Sequence, residues 1–91
     1  MTRPDSDFRC FDSGPKFADR YTIVPARKYH RTFMDNRLRR WEALAASDNP
    51  FHPQGFGQHT ECGSPGTWLG KRVPLSSLPA DVQRFAQTSL F

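Results

Sequence analysis

Proline and glycine cut most of this chain into short pieces, residues 26–49 being the one long run that contains neither. Eight prolines and six glycines are spread through 91 residues. Asp12-Ser13-Gly14-Pro15, Pro25, the run from Asp48 to Gly57, Gly63-Ser64-Pro65-Gly66 and Pro74 each stop a regular segment. Proline lacks the N–H that a helix interior or a central strand needs. Glycine admits positive φ, and Asp or Ser side chains bond their own backbone at turns. The pieces in between favour strands over long helices. The length suits a single domain, 1–91, because a chain near this size buries only about two-thirds of the surface it exposes when unfolded.

Phe8 to Phe11 reads as a short strand, and Tyr21, Thr22, Ile23 and Val24 are strand formers. With turn chemistry between them, Phe8 to Val24 reads as a β-hairpin that Pro25 ends. Residues 36–47 carry two conflicting signals. Leu38, Trp41, Leu44 and Ala45 recur at helical spacing, while Trp41, Ala43 and Ala45 alternate as in a strand. Gln58 to Glu61 and Trp68 to Val73 read as further short strands. The C-terminus reads as a helix: Ser76 or Ser77 can cap it, Pro79 suits its first turn and Asp81 complements its positive end. Val82, Phe85, Ala86 and Leu90 make one apolar stripe. The expected fold is α+β, a small antiparallel sheet of three or four strands with one C-terminal helix packed on it. Residues 1–7 read as a loose terminus.

Charge adds a second constraint. Thirteen Lys and Arg stand against nine Asp and Glu, giving +4, and ten of the thirteen are Arg. A basic balance favours an acidic partner, and the guanidinium fork suits phosphate or carboxylate. The charge concentrates in residues 27–40, which read as a basic excursion between core elements. Its candidate partner-binding residues are Arg27, Lys28, Arg31, Arg37, Arg39, Arg40 and the adjoining Trp41. Tyr29 and Phe33 are interleaved with them. Rings set among cations also describe a surface for single-stranded nucleic acid. A solvated loop with its rings folded onto the core accounts for the same residues.

A histidine pair is the other candidate. His52 and His59 flank the Pro/Gly loop, with Gln54 between them, and two His can act as acid and base if both reach one bond. No nucleophile or phosphate-cradling motif accompanies them, so a small His-dependent hydrolase is a secondary reading. His52, His59 and Cys62, with Cys10 or His30, do not fall at zinc-knuckle spacing. No metal and no cofactor is expected. Two cysteines are too few for a disulfide framework. With no apolar leader and no run of about 20 apolar residues, the sequence reads as cytoplasmic, away from membranes, with two free thiols.

Cys10-Phe11-Asp12-Ser13-Gly14 running into Asp19-Arg20-Tyr21-Thr22-Ile23-Val24 is one distinctive stretch. Asp48-Asn49-Pro50-Phe51-His52-Pro53-Gln54-Gly55-Phe56-Gly57-Gln58-His59, followed by Leu69-Gly70-Lys71-Arg72-Val73 and Leu78-Pro79, is the other. Together they resemble a family of short proteins encoded by phages and other bacterial mobile elements, over about two-thirds of the chain. The resemblance implies an extended segment before the Asn-Pro-Phe loop, hence a strand at Trp41 to Ala46. It also implies residence in the bacterial host's cytoplasm, and it transfers no catalytic residue. Small mobile-element proteins often block host machinery, CRISPR–Cas complexes included. The leading expectation is therefore a non-enzymatic, anti-CRISPR-like inhibitor. Its basic surface, Arg20 and Lys71 included, would engage an acidic protein surface or host nucleoprotein complex. Direct binding of single-stranded nucleic acid is the alternative.

Overall fold

The computed structural model describes residues 2–30, 32–35, 37–49, 51–52 and 55–90. It is an α+β fold with one antiparallel sheet and a C-terminal helix. The strands are β1 (Phe8–Asp12), β2 (Tyr21–Pro25), β3 (Thr32–Asp35), β4 (Leu38–Ala46), β5 (Phe56–Cys62) and β6 (Lys71–Val73), and the helix is α1 (Ala80–Ser89). The sheet has six strands, not three or four.

One strand that no predicted segment covers, β3, lies where the sequence reads as an excursion. Residues 27–40 hold a 3-10 turn, Arg27–Tyr29, followed by β3 and the start of β4. β4 organises the sheet because it is long enough to take three partners. One edge pairs with β5 from Arg40 to Ala46. The other pairs with β3 from Leu38 to Trp41 and with β2 from Leu44 to Ala46. β1 then pairs with β2 as the expected hairpin, Cys10 opposite Ile23, and β6 closes that side with Val73 opposite Cys10. Backbone pairing on both edges fixes 38–46 as a strand against its helical spacing.

Successive side chains alternate between the two faces of the sheet. Phe8, Cys10, Tyr21, Ile23, Leu44 and Ala46 share one face and meet Leu75, Leu78, Val82 and Ala86 in the main core. The predicted stripe is the face α1 buries: Val82 and Ala86 are enclosed and Phe85 and Leu90 pack at its margin. Phe85 stacks on Phe56 of β5, ring centroids 4.9 Å apart. Each fully buried aliphatic side chain here contributes about 1.5–3 kcal/mol.

Other details differ from expectation. Pro79 occupies the N-cap of α1, while Ser76 and Ser77 lie in the preceding turn, Leu75–Ser77. The N-terminal residues are tied down. The Arg3 N–H donates to Gln87 Oε1 and Gln87 Nε2 donates to Arg3 O, both at 2.8 Å. Asp7 is buried at the end of a 3-10 turn. Phe51, in the Asn-Pro-Phe loop, is 92% exposed.

Candidate cationic binding face

Among the described residues no α-helix packs on the sheet's second face. Its core is small: Phe11, Val24, Trp41, Ala43 and Leu69. Leu69 comes from the 3-10 turn Thr67–Leu69, which lies over this face. Ser13 Oγ donates to Leu69 O at 2.7 Å. Gly70 follows at φ 127, where a Cβ would collide with the Asp12 carbonyl, so only glycine lets β6 start this close to β1.

Arginines ring this core. Arg9 shares the face of Phe11 on β1, and Arg39 shares the face of Trp41 on β4. Arg72 stands opposite Phe11 on β6, its guanidinium 5.6 Å from the centre of the Phe11 ring. Arg9 Nε donates to Pro25 O at 2.8 Å, but its enclosed Nη2 has no hydrogen-bond partner. Burial, and then the charges of Arg72 and Arg27, make the Arg9 guanidinium a weaker base than usual. His30 lies 5.8 Å from Trp41, ring to ring, with its Nδ1 buried and unpartnered. Burial and the charges of Arg9 and Arg39 hold the imidazole below its ordinary value. Among the described residues no carboxylate is placed against Arg27 or Arg39. Like charges gathered around partly desolvated donors cost folding energy, and a bound anion would offset that cost.

The structure divides the residues singled out in sequence. Arg27 and Arg39 join the cluster. Lys28 lies 3.8 Å from the buried Asp7 carboxylate and 5.0 Å from the Tyr29 ring centre. Arg37 sits at the tip of the β3–β4 hairpin in the left-handed region, φ 67. Arg40 alternates to the opposite face, with its register partners Phe33 and Cys62. Trp41 is completely buried, donating its indole N–H to Gly63 O at 2.9 Å. As a direct partner contact it must be corrected: it supports the face from beneath. Arg31 and Gln54 lie outside the described residues. Arg20 is committed elsewhere. It grips Asp12 through both carboxylate oxygens, at 2.8 and 3.0 Å, and reaches Asp48 at 3.2 Å. Asp12 also accepts from the Gly14 N–H, so it caps the turn as expected, and Arg20 holds its carboxyl below the usual range.

Arg9 and Arg72 are the residues sequence reasoning missed, and His30, considered there as a zinc ligand, instead packs against Trp41 on this face. The alternation Phe8-Arg9-Cys10-Phe11 does carry a signal, since it puts Arg9 beside Phe11. Nothing local reveals that Arg72 registers against Phe11 from 61 positions away.

The histidines do not converge on one cavity. His59 pairs across from Ala43, and its Nε2 lies 3.3 Å from Glu61 Oε1 on the face of Trp41. A cleft of about 170 Å³ is lined by His59 together with Glu42, Gln58, Thr60, Ser89 and Leu90, and His52 is not part of its lining. That is smaller than the roughly 300–1,000 Å³ of ordinary ligand pockets. His52 belongs to the Asn49 turn, its N–H donating to Asn49 O at 3.0 Å. Among the described residues no three His, Cys, Asp or Glu side chains gather as a metal site. Cys10 is buried, and burial pushes its thiol up to about 12; Cys62 is exposed, and both are free. None of the described helices is long and apolar enough to cross a membrane.

Comparison with protein-family models, with curated proteins and with solved structures finds no match.

Proposed function

We propose that this chain is a non-enzymatic binding protein whose second sheet face docks an acidic partner, and that it inhibits a host nucleic-acid-processing or defence complex. The observation that supports the reading is the cluster of Arg9, Arg27, Arg39 and Arg72 around a small aromatic core, with an enclosed Arg9 nitrogen lacking a partner. Complementary charge steers encounter and sets register. The resemblance to short mobile-element proteins supplies the inhibitory role. It favours a bacterial cytoplasmic setting and a stoichiometric mode of action, for which a surface is enough.

The test compares two charge-reversal variants. One carries Arg27→Glu, Arg39→Glu and Arg72→Glu, all on or beside the cationic face. The other carries Arg37→Glu and Arg40→Glu, at the hairpin tip and on the opposite face. Each is expressed in a bacterium with an active CRISPR–Cas system and challenged with a targeted phage. Wild type and the second variant are expected to restore plating. The first is expected to fail while keeping the wild-type circular dichroism spectrum and melting transition. Full protection of the phage by the first variant would refute this use of the face.

A further inference from the structure

Trp68 is the feature of this face that its charge does not explain. The ring is 59% exposed, yet it is held in place. Its indole N–H donates to Ser64 O at 2.6 Å, and its edge meets the buried Trp41 at 6.3 Å between centroids, tilted by 67°. Trp41 is in turn fixed to Gly63 O, so the Gly63-to-Gly66 turn orients both indoles. A large apolar ring left in water is normally packed away or left mobile. Here it is anchored at its N–H and along one edge, with much of its surface open, on a face that also carries the guanidinium groups of Arg9, Arg39 and Arg72.

We infer that Trp68 is a stacking platform for an unpaired base, and that the acidic partner of the cationic face is therefore a single strand of nucleic acid. This rests on the cationic-face reading and narrows it. An acidic protein surface would use the arginines and could bury an indole as an anchor, but an indole held edge-on by its N–H with its surface open is also the arrangement on which an unpaired base stacks. A duplex would offer its phosphates, but its bases are already stacked and paired. A single strand offers both phosphates for Arg39, Arg72 and Arg27 and an open base face for Trp68, the combination that single-strand binders use. Glu61, on the same face, is turned toward His59. A chain of this kind would inhibit a nucleic-acid-processing complex by occupying a strand that the complex exposes.

The experiment follows a labelled oligothymidylate by anisotropy and tryptophan quenching, at low and moderate salt. A duplex of equal length and a poly-glutamate peptide serve as comparators. The variants are Trp68→Ala, Trp68→Phe and the Arg27/Arg39/Arg72 charge reversal, each verified as folded by its melting transition. Trp68→Ala is expected to weaken oligothymidylate binding about 5- to 100-fold, with Trp68→Phe recovering most of it. The salt dependence of Trp68→Ala should stay as steep as wild type, because the phosphate contacts remain. The charge reversal should flatten it. If Trp68→Ala binds as wild type while the charge reversal abolishes binding, the platform is overturned and the cationic face survives. Preferential binding of duplex or poly-glutamate likewise overturns the single strand and leaves the face standing. If the charge reversal binds as wild type, both readings fall.

Discussion

The two faces of this sheet are built from the same strands and put to different uses. On the helix side, Cys10, Ile23, Leu44 and Val82 are sealed into an aliphatic core. On the other side a few rings are covered by one 3-10 turn and surrounded by arginine. The first arrangement lowers the energy of the folded state and presents little to a partner. The second leaves polar atoms unsatisfied and cations side by side, which a domain stabilised by only about 5–15 kcal/mol tolerates in few places. Two enclosed polar atoms without hydrogen-bond partners, Arg9 Nη2 and His30 Nδ1, lie here among like charges, and that is the ground on which the proposal puts the ligand on this face.

The comparison breaks most directly at Trp41. If the arginine-bearing face has a true core, Trp41→Ala should cost about 3–5 kcal/mol, as buried tryptophans do elsewhere. The midpoint of urea unfolding should fall accordingly. Trp41→Phe keeps most of the apolar volume and forfeits the hydrogen bond to Gly63, worth about 1 kcal/mol. A Trp41→Ala variant as stable as wild type would show that this side contributes nothing to the fold, and that Trp41 is free to be a contact after all.

A smaller effect is expected at the hairpin tip. Arg37 holds φ 67, a conformation that costs a side-chain-bearing residue about 1–2 kcal/mol. Glycine removes that cost but loosens the unfolded chain by roughly 0.5–1 kcal/mol. Arg37→Gly should therefore raise stability by up to about 1.5 kcal/mol in denaturant titration. Protection of phage should be unchanged, because the cationic cluster lies on the sheet and not at the tip. Loss of protection in a more stable protein would move the contact surface out along β3 and β4.

What could be foreseen divides along the same line. The β1–β2 hairpin and α1 were legible because their signals are local: turn chemistry at Asp12 to Pro15, an apolar stripe at helical spacing from Val82 to Leu90. β4 was not legible from its residues alone, since Leu38, Trp41, Leu44 and Ala45 fit a helix and only pairing on both edges decides otherwise. β3 escaped because Thr32, Phe33 and Met34 are all exposed, so no alternation of apolar and polar residues marks the strand. The cationic face was half legible. Arg27 and Arg39 stand in an obvious basic run, while Arg9 and Arg72 reach the same place through strand registers that no local pattern encodes. The Arg20–Asp12–Asp48 network shows the converse, a cation that looked available and is fully engaged.

The subtlest difference between the faces is their response to acid. The helix-side core contains no histidine, whereas His30 is packed beside Trp41 with Arg9 and Arg39 as its charged neighbours. Burial first, and those two guanidinium ions second, disfavour the imidazolium in the folded state, so His30 binds a proton less readily folded than unfolded. An unfolded histidine titrates at about 6.5. Below that pH the unfolded chain binds the extra proton and the folded chain does not, so stability falls as pH drops. The loss continues until the folded imidazole is protonated too, and then levels off. The contribution of His30 is thus fully present above about pH 7. Asp12, held low by Arg20, has the same sign but acts only below about pH 4. Melting temperatures between pH 7 and pH 5 should fall more for wild type than for His30→Asn, and that difference is the measure of the effect. Equal slopes would mean that His30 titrates as it would in water. Its neighbours would then not crowd it with charge, and the claim that this face is held in an unfavourable electrostatic state would lose its second support.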